Sequence, residues 1–321
     1  MSKEKKKGRI MWGFIYVGTF LAVFVASVLI KVTADPFHGK YKADWNDTVG
    51  TIYSDLAYGE GEANKFDLYV PADNSKETYG LVVYLHAGGF TSGDKSDDKE
   101  MLQWLCSKGY VAAGINYTLR DDEHPEANVY SQSVDIKNSM PAVIAEAEKL
   151  GYQIDRMAIS GGSAGGTLAL LYAYRDAADS PVPVKMVFEA VGPASFHHED
   201  WKPYRLDQNA EAAAALFSVM SGNTITKEMI ETDTYDEQVK DISAYMWVNE
   251  NTVPTVLAYG AHDKVCPFDS VRHLVNALVE NNVPHAYFEL PHSGHGLQND
   301  NKLYRQYMET VEEYLATYME S

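Results

Sequence analysis

The sequence predicts an α/β fold, in which apolar strands alternate with helices and polar groups collect where strands end. Apolar runs at 81–85, 255–259 and 286–290 have the length and composition of buried strands. Each run is followed directly by a segment rich in Gly, His or Asp, and in α/β sheets the carboxyl ends of the strands are where functional groups gather. About 270 residues after the N-terminal segment fit one large α/β domain.

The N-terminal segment predicts a membrane anchor. A basic tail, residues 1–9, precedes an uncharged run from Ile10 to Ile30, and a helix of that length, about 31 Å, matches the ~30 Å hydrocarbon core of a bilayer. Basic residues stay in the cytoplasm, so we expect a single-pass cell-membrane protein whose later domain is extracellular, on a tether at 31–47. The alternative is a secreted protein cleaved near Ala34, although signal peptides usually have shorter apolar runs, of about 7–15 residues.

The strand at 81–85 ends in a loop suited to stabilising negative charge. The loop reads His-Ala-Gly-Gly-Phe from His86 to Phe90. Glycines directly after a central strand allow backbone N–H groups to point into a cleft, which is what an oxyanion hole requires. His86 itself is expected to brace the turn by hydrogen bonds.

A serine at the centre of Gly-Gly-Ser-Ala-Gly, residues 161–165, is the candidate nucleophile. The pentapeptide follows an apolar run at 157–159 and precedes a helix-forming run at 167–171. This is the G-x-S-x-G pattern in its strand, turn and helix context. The turn needs glycines because the serine backbone is strained, and the following helix N-terminus stabilises developing negative charge near Ser163.

Two later strand ends supply a candidate acid and a candidate base. Asp263 closes the short loop after the strand at 255–259, and His295 lies in the loop after the last strand. Asp269 and His292 compete for these roles. Asp263 is preferred because its loop is short, and His295 because glycine flanks it on both sides. The order serine, acid, histidine differs from that of the chymotrypsin and subtilisin types.

Together these motifs resemble the α/β-hydrolase superfamily, in particular the esterase/lipase branch related to hormone-sensitive lipase and the small acetyl- and feruloyl-esterases. The resemblance covers about residues 50–320. The segments that carry it are 66–71, 86–90, 116–117, 123–125, 161–166, 263–267 and 294–296. It implies an α/β-hydrolase domain at 48–321, with a mostly parallel eight-stranded central sheet and helices on both faces.

The resemblance also implies roles for individual residues. Ser163 would be the nucleophile, His295 the general base and Asp263 its orienting acid. The oxyanion hole would comprise the backbone N–H groups of Gly88, Gly89 and Ala164. Ala87 stands where the family usually has glycine, which we expect to narrow the acyl pocket.

The stretch between the strand near 186–191 and the strand at 255 is longer than one crossover helix needs. Its helix formers at 211–216 predict a helical cap at about 195–250. Four cap aromatics either line the substrate cleft or simply pack within the cap: Phe196, Trp201, Tyr204 and Phe217. The run His-His-Glu-Asp at 197–200 suggests a metal site. However, adjacent side chains cannot converge on one ion and no second ligand pair with zinc spacing follows. A solvated loop is expected instead, with no metal or other cofactor.

The charge and composition of the chain limit the kinds of partner that the domain can bind. The chain has a net charge of −18, and because residues 1–31 hold six Lys/Arg and one acid, residues 32–321 carry −23. This excludes nucleic acid and anionic membrane surfaces as partners of the domain, and restricts membrane contact to the N-terminal helix. The two cysteines, Cys106 and Cys266, are expected to be free thiols.

The expected function is hydrolysis of a small carboxylic ester through an acyl-enzyme, on short-chain or carbohydrate-linked acyl groups. The alternatives are a serine amidase or peptidase and a catalytically silent binding module.

Overall fold

A computed structural model describes residues 41–320 of the chain. The predicted anchor at 10–30 and most of the predicted tether therefore lie outside the described residues. Within 41–320, no helix is both long and apolar enough to cross a membrane.

Eight strands form one sheet in the order β1-β2-β4-β3-β5-β6-β7-β8. In chain order they are β1 (Gly50–Ala57), β2 (Lys65–Pro71), β3 (Tyr79–Leu85), β4 (Val111–Ile115), β5 (Ile154–Gly162), β6 (Val184–Ala190), β7 (Thr255–Gly260) and β8 (His285–Leu290). Only the β1–β2 and β2–β4 pairs are antiparallel, and the other five pairs are parallel. The predicted mostly parallel eight-stranded sheet is confirmed.

Helices cover both faces of the central strands. Their bounds are α1 (Lys99–Ser107), α2 (Val129–Lys149), α3 (Ala164–Leu171), α4 (Ala210–Ser221), α5 (Lys227–Glu231), α6 (Asp236–Val239), α7 (Ser270–Glu280) and α8 (Asn301–Met319). Every residue of β4 and β7 is buried. Because successive side chains on a strand point to opposite faces, complete burial means that neither face of these strands is open to water.

Local sequence explains where the helices begin and end. At the start of α2, the Asn128 side chain accepts a hydrogen bond from Ser131 N, and Ser131 Oγ accepts one from Asn128 N, which is a reciprocal capping arrangement. In the same way, Asn209 caps α4 by accepting from Ala212 N, and α4 ends at Gly222, whose φ of 77° suits glycine.

The segment between β6 and β7 contains α4, α5 and α6 together with short 3₁₀ turns, and no strand. It occupies the position at which the sequence predicts a helical cap. Both cysteines, Cys106 in α1 and Cys266 after β7, are buried free thiols, as expected.

Parallel topology places the candidate functional loops together. His86 follows β3, Ser163 follows β5, Asp263 follows β7 and His295 follows β8. From β3 through β5, β6 and β7 to β8, each neighbouring pair of strands is parallel. The carboxyl ends of these strands therefore lie at one edge of the sheet.

Candidate active site

Ser163 lies in a strained turn between β5 and α3. Its backbone has φ 53° and ψ −121°, a region that a residue with a side chain rarely adopts. A side chain at Gly165 would put Cβ 2.0 Å from Leu85 O, and one at Gly161 would put Cβ 2.4 Å from the Gly165 carbonyl carbon. The sequence pattern is therefore required sterically, because only glycine allows the turn to approach β3 this closely.

Ser163, His295 and Asp263 are joined by hydrogen bonds. Ser163 Oγ lies 3.0 Å from His295 Nε2, and His295 Nδ1 lies 2.7 Å from Asp263 Oδ2. Asp263 Oδ1 accepts the backbone N–H groups of Val265 and Cys266 at 2.8 and 2.9 Å. These bonds fix the carboxylate, whose side chain is fully buried. Nδ1 then carries the proton toward Asp263, and Nε2 accepts from the serine hydroxyl.

The two competing residues lie outside this hydrogen-bonded set. The His292 side chain is 77% exposed and its Nδ1 is 2.8 Å from Asp300 Oδ1. Asp269 forms ion pairs with Lys202 and Arg272 at 2.8 and 3.2 Å. The structure thus brings together the residues that the sequence favours.

The glycine loop after β3 also adopts unusual backbone geometry. Gly88 has φ 129° and Gly89 has φ 61°, and a Cβ at Gly88 would lie 1.9 Å from Ser92 O. Gly89 borders the same cavity as Ser163 and Ala164. Ala164 is the first residue of α3, so its N–H has no acceptor within the helix.

His86 braces this loop. It is buried, its ring stacks on Tyr117 with centroids 4.3 Å apart, and its Nδ1 is 2.7 Å from Ala87 O. Burial lowers the pKa of His86, which keeps the imidazole neutral. A Cβ at Gly93 would lie 2.4 Å from His86 Nδ1, so the loop packs closely around the ring. These contacts match the bracing role predicted from the sequence.

A small apolar cavity of about 150 Å³ adjoins Ser163. Gly89 and Ala164 border it on the side of the sheet. On the side of the cap it is lined by Trp201, Tyr204, Leu216 and Met220. Leu216 and Met220 are four residues apart in α4 and so share one helix face. Sequence reasoning missed this pair, although their helical spacing is visible in the sequence.

Some of the four aromatic residues of the cap pack against one another, and some line the cavity beside Ser163. Phe196, Trp201 and Phe217 are buried against one another, with ring centroids 5.3 to 5.9 Å apart. Trp201 also borders the cavity, as does Tyr204. Tyr204 Oη donates to Val265 O at 2.8 Å, which ties the cap to the loop that carries Asp263.

A buried acid lies behind the serine turn. Glu189 near the end of β6 is completely buried, and burial raises its pKa to about 8. Its Oε2 accepts from Gly192 N at 2.9 Å and would lie 2.7 Å from a Cβ at Gly166. Sequence reasoning did not single out Glu189, although an acid within the apolar strand 186–191 was a visible signal.

This fold and arrangement of residues define an α/β-hydrolase. Solved structures of that fold superpose on the chain at 19% sequence identity. A truncated carbohydrate esterase from gut microbiota has a TM-score of 0.66, covering 85% of this chain and 99% of that one. The esterase Est2 of Thermogutta terrifontis with propionate bound has a TM-score of 0.64, covering 85% and 96%.

The chain belongs to the BD-FAE family, whose family model matches residues 66–278. Among characterised sequences, it is similar to esterase LipC of Mycobacterium tuberculosis, with 24% identity over 75% of this chain. The alignment spans 59% of LipC, so the chain matches less than two thirds of that relative's length.

Proposed function

We propose that this protein is a serine hydrolase of carboxylic esters. The observation that carries the proposal is the hydrogen-bonded series Ser163–His295–Asp263 at a strained strand-to-helix turn beside an apolar cavity. His295 Nε2 would accept the Ser163 hydroxyl proton as Oγ attacks the ester carbonyl carbon. It would then return that proton to the departing alcohol oxygen, which leaves an acyl-enzyme.

Hydrolysis of the acyl-enzyme follows the same route in reverse. Water attacks the acyl carbon while His295 Nε2 accepts its proton, and the proton passes to Ser163 Oγ as the carboxylic acid leaves. Asp263 keeps the imidazole in the required tautomer and stabilises the imidazolium that forms in both steps.

Backbone donors near Ser163 would stabilise the tetrahedral oxyanion. We assign this role to the N–H groups of Gly88, Gly89 and Ala164. The position of Ala164 at the start of α3 and the cavity shared by Gly89, Ala164 and Ser163 support the assignment. Loss of one such donor typically costs about 10²–10³ in kcat.

The cavity supports a preference for short acyl groups. An apolar cavity of about 150 Å³ is large enough for a benzene-sized ligand, which corresponds to acetyl, propionyl or butyryl chains. The structural similarity to a carbohydrate esterase and to an esterase with propionate bound points in the same direction. We therefore propose short acyl esters, including acylated carbohydrates, as the substrate class.

A comparison of two acetyl esters with an acetyl anilide tests the reaction type. p-Nitrophenyl acetate, acetylated xylan fragments and p-nitroacetanilide would be compared under the same conditions. We expect kcat/KM for the esters to exceed that for the anilide by orders of magnitude. Comparable anilide turnover would favour an amidase, and a folded protein that is inactive on all ester substrates would favour a binding module.

We further propose that the domain is held outside the cell by the apolar run 10–30. The basic tail and the length of the run support this proposal. The full-length protein should remain in the membrane fraction after an alkaline carbonate wash, and external protease should remove the domain from intact cells. A soluble product beginning near Asp35 would instead indicate secretion, and a domain protected from external protease would contradict both placements.

A further inference from the structure

The turn at the start of the cap brings a histidine and an aspartate to the same side of the chain. Asp200 N donates to His197 O at 3.0 Å, closing the 3₁₀ turn His198–Asp200. Residues three apart in such a tight turn lie on one side of it. His197 and Asp200 can therefore face the same ion, although directly adjacent side chains cannot. Asp200, in the segment that is expected to be a solvated loop, is buried.

The third group comes from a distant helix. His273 lies on α7, and its Nε2 is 3.1 Å from Asp200 Oδ2. The His197 and His273 ring centroids are 5.8 Å apart. One potential ligand atom from each of His197, Asp200 and His273 lies within 4.8 Å of the other two. Because His273 is far away in the sequence, ligand spacing in the sequence could not reveal this cluster.

The surroundings orient the Asp200 carboxylate, whose ion-pair partner is the titratable imidazole of His273. Ser195 Oγ donates to Asp200 Oδ2 at 3.0 Å, a type of support found around metal-binding carboxylates. Lys202 and Arg272, which border the same cleft as Asp200 and His273, instead form ion pairs with Asp269.

Exposure of the three side chains suits a metal site near the surface. The Asp200 side chain is 11% exposed and that of His273 38%, whereas His197 is 21% exposed. Ligands around a tetrahedral zinc ion, at about 2.0–2.2 Å from it, are roughly 3.3–3.6 Å apart. Small side-chain rotations would bring the three groups to that spacing, with water in the fourth position.

We propose that His197, Asp200 and His273 bind one zinc-class divalent cation that connects the cap to α7. Two imidazoles and one carboxylate favour zinc over magnesium or calcium, which prefer ligand sets made of oxygen. The ion would fix the turn that leads directly into Trp201, a residue that borders the cavity beside Ser163. This site is separate from the proposed ester chemistry, and metal binding can be measured without any substrate.

Zinc binding to the full-length chain tests the proposal. The protein would be purified in mild detergent without a polyhistidine tag, stripped with a chelator and titrated with Zn²⁺ by calorimetry. We expect one ion per chain and a higher Tm with zinc. Mg²⁺ at the same concentration should give neither effect. Absence of saturable zinc binding by the wild-type protein would overturn the proposal.

Variants identify the ligands. His273→Ala and the more conservative His273→Gln should each raise the Kd for zinc by at least about tenfold, with an unchanged circular dichroism spectrum. His124→Ala is the matched control, because His124 also pairs with a carboxylate, that of Asp121 at 3.1 Å, and it should leave the Kd unchanged. Equal losses in the control and the His273 variants would contradict the assignment.

An overlapping cluster provides the sharpest alternative. His197, His198 and Asp233 also lie within ligand distance of one another. If the proposed site is correct, His198→Ala should leave the Kd nearly unchanged. Asp233→Asn should weaken binding less than His273→Ala does, because Asp233 Oδ1 contacts the ligand His197 at Nε2, 3.3 Å away. Loss of zinc binding in His198→Ala but not in His273→Ala would refute the proposed site.

Discussion

Leu216→Ala is expected to shift the acyl-chain preference toward longer esters. Leu216 lines the cavity beside Ser163 and extends from α4. Its replacement by alanine removes three carbon atoms and lengthens the cavity on the side of the cap. An acyl chain that meets this wall should then gain one or two buried methylenes.

The size of the shift follows from the burial of those methylenes. Each buried CH₂ contributes about 0.8 kcal/mol, so one or two of them change kcat/KM by about fourfold to fifteenfold. We expect the ratio of kcat/KM for p-nitrophenyl hexanoate to that for p-nitrophenyl acetate to rise by this factor. We expect the acetate value itself to change little, because the acetyl group has only one carbon beyond its carbonyl carbon.

A residue on the same helix supplies the control. Val219 lies on α4 but is 42% exposed and does not line the cavity, so Val219→Ala should leave the ratio unchanged. The reasoning is refuted if both variants shift the ratio equally, or if Leu216→Ala lowers activity on all chain lengths in proportion.

Three further predictions test the site and its support. Asp263→Asn should lower kcat by about 10⁴, because the imidazole loses its orienting anion, whereas His292→Ala should lower it little. Steady-state kinetics on p-nitrophenyl acetate would compare the two, and similar losses would contradict the assignment of His295. Gly165→Ala should prevent folding or strongly lower Tm, since its Cβ would lie 2.0 Å from Leu85 O; an unchanged Tm would show that the turn can relax. Burial raises the pKa of Glu189 to about 8 from 4.5, so between these pH values the folded state keeps a proton that the unfolded state loses. Stability should therefore fall as pH rises through this window, by up to about 1.4 kcal/mol per pH unit from this group. Urea unfolding at pH 5, 6.5 and 8 should show a smaller decline in Glu189→Gln, and parallel declines in both proteins would contradict the raised pKa.

Local motifs made much of the site predictable. The turn at Ser163 needs glycine at fixed neighbouring positions, so its signature is contiguous in the sequence. Asp263 and His295 could be placed because each follows a recognisable strand, and parallel strands bring their carboxyl ends to one edge. The choice of His295 over His292 depended only on flanking glycines, and the structure places His295 beside Ser163.

Features that depend on docking between distant segments could not be predicted in this way. Leu216 and Met220 line the cavity only because one particular face of α4 is turned toward Ser163. His273 approaches Asp200 only because α7 packs beside the cap turn. Phe217 packs within the cap, whereas Tyr204 lines the cavity. This difference also depends on tertiary contacts, which the linear sequence pattern does not contain.

The central claim is that Ser163 is an activated nucleophile. The most direct test is to treat the full-length protein with a fluorophosphonate and locate the adduct by peptide mass spectrometry. We expect one adduct per chain, on Ser163, with no labelling of Ser163→Ala and strongly slowed labelling of His295→Ala. An adduct on another residue, or undiminished labelling of Ser163→Ala, would contradict the account.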